Sequence, residues 1–389
     1  MHMTTKKELF GIELNHYLQA TKKDKKIILD GLERQTKMHR KALIRAFKEL
    51  QLKDRSVPEH RGRSVYYTPD VIYALHQIWE ASNECCGELL HPVVTEYVEI
   101  LRRDHMWKHG NEATDKLLHM SMATMKRKVC GWICGGKNRG ISSTTPSSIK
   151  DRVPLFQGDW KSIAVGNGQI DTVAHCGGSL VGSFMFSCGY VDVASGWIEY
   201  RAQWSKGMYA TQQSLESIRT ALPWKLVQVH PDCGTEFLNQ FVMEWCEKNS
   251  ILITRSRSYH KNDNGYIEQR NGHIARRWLG YDRLGIQNML DELNEYYRLI
   301  CLYHNHFKAQ RLCISTIKLE NGQYRKIYEA VAKTPYRRVL GKEDVAKDTK
   351  EKLTQVHVTL NPSIMIQRLK QLKRDIMSKN RRLMEGLVG

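Results

Sequence analysis

The chain has 389 residues, 41% of them hydrophobic, so it is long enough for about two to four domains and can bury a substantial core. Its 60 Lys and Arg against 41 Asp and Glu give a formal net charge of +19, which favours a polyanionic partner. No apolar run approaches the roughly 18 residues of a membrane span and the N-terminus lacks the apolar core of a signal peptide, which disfavours a membrane partner and predicts a cytoplasmic protein with reduced cysteines.

Residues 1–64 carry much of this charge, with 16 Lys and Arg against 8 Asp and Glu. Apolar residues at helical spacing predict two helices, over 23–36 and 37–50. The pattern is typical of a helix-turn-helix that presents its second helix to DNA, and a plain helical hairpin with a solvated basic face is the alternative. We interpret 1–64 as a first DNA-binding domain. Its candidate DNA contacts are Lys37, His39, Arg40, Lys41 and Arg45, with Arg61 and Arg63 in the basic link that follows.

Residues 65–135 predict a second helix-turn-helix domain. Helical stretches cover 70–81, 92–104 and 113–132, and the last contains a sharp turn at 119–121. Ser121 is a good N-cap for the helix after this turn. The candidate DNA contacts of that helix are Thr124, Lys126, Arg127 and Lys128.

Four residues of the same region loosely resemble a zinc site: His105, His109, Cys130 and Cys134. The two cysteines are separated by three residues and not by the usual two, and the intervening segment already reads as a DNA-binding helix pair. The zinc interpretation is therefore the alternative, and zinc binding stays open at this point.

After a Gly- and Ser-rich linker over 136–165, the pattern changes to β-rich runs. From residue 166 the predicted order is β-β-β-α-β-α-β-α, which is that of the α/β ribonuclease H-like fold, a mixed five-stranded sheet with flanking helices. Asp171 lies on the first strand, Asp232 closes the fourth, and Glu268 lies on a late helix, with 35 residues between the last two. If the central strands pair, Asp171 and Asp232 lie side by side.

Three converging carboxylates suit two-metal phosphoryl transfer. Mg²⁺ takes oxygen ligands and keeps several waters, so a few carboxylates suffice. In this role Asp171 would bridge two ions, while Asp232 and Glu268 would each hold one. A solvated surface charge is the alternative for any one of these acids taken alone.

The motifs around these acids resemble those of bacterial insertion-sequence transposases of the retroviral-integrase superfamily, whose catalytic core bears a DDE triad. The resemblance rests on DTVAHCGG at Asp171, DCGTEF at Asp232 and RSRSYHKNDNGYIEQRNG around Glu268. Flanking motifs extend it over nearly the whole chain, with the core predicted over 166–315. One departure is Cys233, where relatives commonly have Asn, which puts metal preference and resistance to thiol oxidation in doubt.

The resemblance implies a catalytic triad of Asp171, Asp232 and Glu268 with two Mg²⁺ or Mn²⁺ ions. It implies hydrolysis that exposes a 3′-OH at transposon ends, followed by attack of that hydroxyl on target DNA. The implied partners are double-stranded DNA and at least one further copy of the chain, near the bacterial nucleoid. A catalytically silent DNA-binding regulator and a ribonuclease H-like nuclease without joining activity are the alternatives.

Basic and amide side chains near the triad are further candidates for DNA contacts. A solvated basic face is the alternative for each. They are Arg255, Arg257, Lys261, Asn262, Asn264, Arg270, Arg276 and Arg277.

The C-terminal region, 316–389, is predicted to be basic and mainly helical, without a run of strands. Asn361 and Pro362 begin a helix with an apolar stripe at spacings of three, four and seven. The stripe would either dock on another subunit or pack on its own chain. Its residues are Met365, Leu369, Leu372, Ile376 and Leu383, with Lys379 interrupting it.

Overall fold

The computed structural model describes residues 3–52, 65–132, 152–156, 158–257, 263–321 and 323–386. The chain forms two compact units, Met1–Tyr66 and Tyr67–Gly389. Within the described residues, no helix is long and apolar enough to cross a bilayer. The predicted contacts Arg61 and Arg63 lie outside the described residues.

The first unit is a three-helix arrangement. Its helices are α1 (Met3–Gln19), α2 (Lys22–Thr36) and α3 (Arg40–Leu52). The two predicted helices are present as α2 and α3, whereas α1 was missed. It contributes Phe10, Leu14 and Tyr17, at spacings of four and three, to a core in which the Tyr17 ring stacks on Phe47 at 4.5 Å. The helices bury one apolar cluster, as the helical spacing predicts.

Lys37 ends α2 in the left-handed conformation, with φ of 57°, and its N–H donates to the Glu33 carbonyl. The second helix therefore begins at Arg40, three residues later than predicted. Lys37 and His39 lie in the turn and not on the helix, because a left-handed residue cannot continue a right-handed helix.

The second unit begins with helices that fit the predicted stretches. These are α4 (Pro69–Ala81), α5 (Gly87–Leu90), a 3₁₀ turn (His91–Val93), α6 (Val94–Arg103), α7 (Asn111–Leu118) and α8 (Met122–Cys130). Ser121 caps α8 as predicted, accepting the Thr124 N–H at 3.3 Å. Met125 and Val129 of α8 are buried in the same apolar core as the sheet residues Val191 and Ile198. Helices α4–α8 and the sheet thus share one core.

The predicted mixed five-stranded sheet is present. Its strands are β1 (Asn167–Ala174), β2 (Phe186–Asp192), β3 (Ile198–Gln203), β4 (Gln228–His230) and β5 (Leu252–Ile253). The order across the sheet is β3-β2-β1-β4-β5, in which β1, β2 and β3 pair antiparallel while β4 pairs parallel with β1 and β5. The first three strands form a meander, and the last two are reached through helical crossovers.

Helices cover both faces of this sheet. The helices are α9 (Met208–Ala221), α10 (Gln240–Lys248), α11 (Gly265–Asn271), a π-helical turn (Gly272–Arg276), α12 (Arg277–Leu279), a 3₁₀ turn (Gln287–Met289) and α13 (Leu290–Phe307). Tyr190 joins α9 and α10 in one core, and its neighbour Val191 joins α13 in another. Alternate side chains of β2 therefore face opposite layers, as the two-residue period of a strand requires.

The C-terminal region contains a hairpin that the sequence analysis missed. Strands β6 (Cys313–Lys318) and β7 (Tyr324–Tyr328) pair antiparallel. Ile314, Ile317 and Ile327 are exposed, so the alternation of buried and exposed residues that marks a half-buried strand is weak here. Three helices follow, as the prediction of a mainly helical region requires. They are α14 (Pro335–Leu340), α15 (Lys347–Thr359) and α16 (Pro362–Glu385).

The apolar stripe of α16 packs on its own chain. Asn361 caps the helix by accepting the N–H groups of Ser363 and Ile364 at 2.9 and 3.2 Å, and Pro362 occupies the first turn, as predicted. Leu369 is fully buried in a core shared with α13 and α4. Lys379 forms an ion pair with Glu292 of α13. Residues of this stripe therefore pack inside the second unit, against α13 and α4.

Candidate active site

Asp171 and Asp232 lie side by side on adjacent parallel strands, β1 and β4, in the middle of the sheet. Gly168 pairs with Val229 and Gln169 with His230. Continuing this register by two residues brings Asp171 opposite Asp232, just past the end of β4. The predicted juxtaposition of the two aspartates follows from this pairing.

Each aspartate is held by a backbone N–H near it in sequence. Thr172 N donates to Asp171 Oδ1 at 2.7 Å, and Gly234 N donates to Asp232 Oδ1 at 2.8 Å. Gly234 packs closely on the acids, because a Cβ there would lie 2.6 Å from Glu236 Oε2 and would force that carboxylate to shift. The Cys233 thiol, at the position that departs from related motifs, donates to the Ser256 carbonyl at 3.4 Å. Cys233 thus links the Asp232 turn to the segment after β5.

Glu236 is a buried fourth acid that the sequence analysis quoted in a motif without giving it a role. It is 4% exposed, and its Oε1 accepts the Thr172 hydroxyl at 3.1 Å. Its Oε2 is buried and has no hydrogen-bond partner among the described residues. A buried carboxylate oxygen without a donor is costly, which marks Glu236 as part of an incomplete polar site.

Glu268 lies exposed on α11, and two hydrogen-bonded contacts hold this helix against β1. Gln169 Oε1 accepts the N–H groups of Tyr266 and Ile267 at 3.0 and 3.2 Å, so a strand side chain caps the helix start. Asn271, one turn beyond Glu268, donates to Asp171 Oδ2 at 2.7 Å. Glu268 therefore lies on a helix that is held against β1, the strand that bears Asp171.

The four acids repel one another. Burial, together with the charges of Asp232, Glu236 and Glu268, raises the pKa of Asp171 well above its usual range. Burial, with the charges of Glu236 and Glu268, raises the pKa of Asp232 to about 6, against a smaller opposing effect of Lys206. The predicted triad residues are thus brought into one electrostatic environment, together with Glu236.

The donor set suits a hard divalent cation. Carboxylate oxygens are the ligands that Mg²⁺ and Mn²⁺ prefer, and a cation would offset the mutual repulsion of the acids and the unpartnered Glu236 Oε2. Over the ranges that the structure describes, no three His, Cys, Asp or Glu side chains are spaced as a ready-made metal cage. A site of this kind would draw further ligands from water and substrate phosphate.

The predicted DNA contacts near the triad occupy different environments. The Arg255 guanidinium donates to the Val153 carbonyl at 2.9 Å, and exposed Arg257 forms an ion pair with Asp263 at 2.8 Å. Asn264 and Arg270 are only 6% exposed, so neither lies on an open surface. Lys261 and Asn262 lie outside the described residues.

The remaining candidates near the triad are partly exposed. Arg276 lies over the Tyr281 ring at 5.0 Å. Arg277 donates to the Asn83 carbonyl at 2.9 Å, which ties the start of α12 to the loop after α4.

The predicted contacts of the first unit are mostly solvent-facing. Lys37, His39, Lys41 and Arg45 are exposed. Arg40 is partly buried and pairs with Asp30 of α2. The first four are free to meet a polyanion, whereas Arg40 joins two helices.

On α8, Lys126, Arg127 and Lys128 are exposed and Thr124 is partly exposed. Lys126 forms an ion pair with Glu88, and Arg127 donates to the Thr124 hydroxyl at 3.2 Å. Arg127 and Lys128 of this helix are therefore solvated, whereas Lys126 links the helix to α5.

Three residues of the possible zinc site lie within the described part of the chain. His109 Nε2 lies 2.9 Å from Gln77 Oε1, and Cys130 is exposed. His105 adopts φ of 56° in the turn after α6. Cys134 lies outside the described residues, so the zinc site stays a prediction.

Comparison with known proteins gives one relative of substantial identity. The uncharacterized protein y4rM of Sinorhizobium fredii (strain NBRC 101917 / NGR234) is 34% identical over 311 residues, which span 79% of this chain and 87% of the relative. No protein-family profile matches the chain.

Solved structures similar to part of the chain include three integrase structures. The HTLV-2 integrase catalytic core domain in complex with magnesium has a TM-score of 0.30 at 18% identity, over 38% of this chain and 92% of that one. The catalytic core domain of BIV integrase has a TM-score of 0.24 at 16% identity, over 30% and 68%. The simian T-cell lymphotropic virus intasome with the PP2A regulatory subunit B56 gamma has a TM-score of 0.32 at 15% identity, over 55% and 69%.

The similarity to y4rM extends over most of both chains. The chain therefore belongs to the same protein family as y4rM of Sinorhizobium fredii.

Proposed function

We propose that this protein is a DDE transposase that cuts and joins DNA. The observation that supports it best is the acidic site at β1 and β4, where burial and neighbouring acids, Glu236 and Glu268 among them, raise the pKa of both Asp171 and Asp232. This arrangement suits a divalent-cation site, and a net charge of +19 suits a DNA substrate. The bacterial insertion-sequence type is part of this proposal.

In this proposal Asp171, Asp232 and Glu268 would hold two Mg²⁺ or Mn²⁺ ions. Bound there, the ions would lower the barrier to phosphoryl transfer by offsetting the charge of the attacking and leaving oxygens. Gln169 and Asn271 position the helix and the carboxylate, and Glu236 holds the strand hydroxyl of Thr172.

The proposed reaction has two phosphoryl transfers. In the first, water attacks a phosphodiester at the transposon end, the bond from phosphorus to the 3′-oxygen breaks, and that oxygen takes up a proton to become a 3′-OH. In the second, this 3′-OH attacks a target phosphodiester and displaces a new 3′-OH. One phosphodiester forms for each that breaks in the second step, so it needs no external energy source.

Two partners belong to the proposal. Transposon-end and target DNA would be bound by the basic units, acting as helix-turn-helix domains, and at least two copies of the chain would bring two ends together. Such a protein would act at the bacterial nucleoid. Metal-dependent nicking of end DNA tests the enzyme against a silent DNA-binding regulator, and joined product tests it against a simple nuclease.

The helix cap from β1 gives a test of positioning. Gln169→Met leaves the Tyr266 and Ile267 N–H groups without their acceptor, which should cost about 1–3 kcal/mol of stability. A shift of α11 would also misplace Glu268, so we expect joining activity to fall about 10- to 100-fold. Denaturant unfolding and a strand-joining assay measure the two effects.

The matched control is Gln228→Met, because Gln228 is buried on the neighbouring strand and donates to the Thr254 hydroxyl, not to α11. It should lose stability and keep most of its joining activity per folded molecule. Equal losses of activity in both variants would count against the positioning role of Gln169.

Exposed Lys41 gives a test of DNA contact by the first unit. A phosphate contact releases counterions, so Lys41→Gln should lower the slope of log affinity against log salt concentration by about one unit. The control is Lys352→Gln, which makes the same change of charge at an exposed position on α15. Unchanged slopes in both variants would remove Lys41 from the DNA interface.

A further inference from the structure

A pocket of about 540 Å³ lies behind the catalytic helix. Gln269, Arg270, His273 and Arg277 line it from the helix and the turns that continue it. Successive helical residues are separated by about 100°, so Arg270 points roughly 200° away from Glu268. The pocket is therefore separate from the acidic site, although the same helix serves both.

Two arginines in this pocket have buried nitrogen atoms without hydrogen-bond partners. Arg270 is 6% exposed, and its Nε has no partner among the described residues. The Nε of Arg311 is also buried and also has no hydrogen-bond partner among the described residues. A third unpartnered nitrogen is Nδ1 of His304, which is 5% exposed. The two arginine Nε–H groups are donors, and buried donors usually have an acceptor, so their presence in one pocket indicates a missing anionic or polar ligand.

The pocket is lined by more basic than acidic side chains. Arg270, Arg277, Lys308 and Arg311 line it, against Glu84 and Glu88. Glu84 lies 4.0 Å from Arg277, and Glu88 forms an ion pair with Lys126 and also interacts electrostatically with Arg311. The ammonium of Lys308 donates to the carbonyls of Ser82 and Asn83 at 2.8 and 3.4 Å and interacts with the thiols of Cys85 and Cys86. The basic groups of the pocket thus outnumber its carboxylates.

Three cations of the pocket, Arg270, Lys308 and Arg311, come from different elements. Arg270 lies on α11, Lys308 directly follows α13, and Arg311 precedes β6. Burial, with a smaller contribution from the charge of Arg338, lowers the pKa of Arg270 to about 10, which leaves it charged near neutral pH. Guanidinium groups match the oxygens of a phosphate in planar, two-point hydrogen bonds, whereas a neutral ligand would leave the charge unpaired.

We propose that this pocket binds a phosphate group through Arg270, Arg311 and Lys308. The phosphate would belong either to a free polyphosphate or to a DNA backbone. Because the phosphate would be bound by the back of the helix that carries Glu268, its occupancy would stabilise that helix. The site stands independently of metal binding and of the proposed reaction.

The test uses the full-length protein in metal-free buffer with EDTA, with inorganic pyrophosphate as the first probe. We expect pyrophosphate at saturating concentration to raise the melting temperature by about 5 °C. The rise should be lost in Arg270→Met and in Arg311→Gln. The Arg311 variant keeps the test valid if the buried Arg270 variant fails to fold.

Arg298→Gln is the matched control, because Arg298 is exposed on α13 and does not line this pocket. A second arm uses a short DNA duplex and compares the salt dependence of binding. If pyrophosphate binds, the site takes a free phosphate. The other outcome is that pyrophosphate fails to bind while Arg311→Gln, unlike the control Arg298→Gln, lowers the slope of log DNA affinity against log salt concentration by about one unit. In that case the site takes a backbone phosphate.

Either of these results supports the proposal. Equal pyrophosphate binding by wild type, both pocket variants and the control would indicate general attraction to a basic protein and would overturn it. An absence of both responses would overturn it as well.

Discussion

Asp232→Asn is expected to abolish strand joining and nicking while leaving affinity for end DNA nearly unchanged. The variant removes a charge from the acidic site but keeps an oxygen that can accept the Gly234 N–H. Loss of several kcal/mol of charge stabilisation, at 1.36 kcal/mol per decade, corresponds to a fall of at least about 10³-fold. A joining assay with Mg²⁺ and a DNA-binding titration without metal measure the two properties.

The matched control is Asp282→Asn, the same chemical change at an exposed position outside the acidic site. It should retain wild-type joining. Wild-type joining by Asp232→Asn would refute the DDE assignment. Nicking without joined product in the wild-type protein would instead favour the nuclease alternative.

The metal-free protein is expected to lose stability at the acidic site as the pH rises. Asp232 has a pKa of about 6 in the folded chain against 3.8 as its ordinary value, and the pKa of Asp171 is raised as well. Between these values the folded state binds more protons than the unfolded state, so stability falls with pH through this window and stays low above it. For Asp232 the loss is roughly 2 to 3 kcal/mol.

Other carboxylates have a lowered pKa and act in the opposite direction, as Asp104 does with its pKa of about 2 beside Arg103. The measurement is therefore the difference in unfolding free energy between wild type and Asp232→Asn, followed from pH 4 to 8 without metal. We expect the variant to gain stability relative to wild type as the pH rises. A difference that stays constant over this range would contradict the raised pKa.

The same site predicts a pH-dependent response to metal. Mg²⁺ competes with protons for the carboxylates, so it should stabilise the wild-type protein more at pH 7.5 than at pH 5. Asp232→Asn should reduce this stabilisation.

Much of the sheet, and the choice of candidate acids, could be made from local sequence. β-rich runs bounded by Gly and Ser predicted the strands that became β1, β2 and β3, and the three candidate acids were chosen from the motifs around them. The N-cap of α8 at Ser121 and the start of α16 at Asn361 followed from side chains that bond to neighbouring backbone. These features depend on residues close together in the chain, so the sequence carries their signal directly.

Other elements were missed because their local patterns were weak or overridden. Helix α1 was not predicted, although it buries Phe10 and Leu14. The β6–β7 hairpin has exposed isoleucines and little alternation. Lys37 was predicted to lie on the second helix, but it lies in the left-handed turn before that helix. In each case one residue conformation or one packing partner decided the outcome.

The sequence by itself determined the sheet-forming segments, the identity of the acids and the strongly basic character of the chain. Only the tertiary structure decided that Gln169 caps α11, that Asn271 holds Asp171, and that Glu236 lies beside the three predicted acids. It also decided that the α16 stripe packs on its own chain and that Arg270 points into a separate basic pocket. The physical reason is that strand periods and caps arise between neighbours, whereas burial and electrostatic coupling arise between residues that only folding brings together.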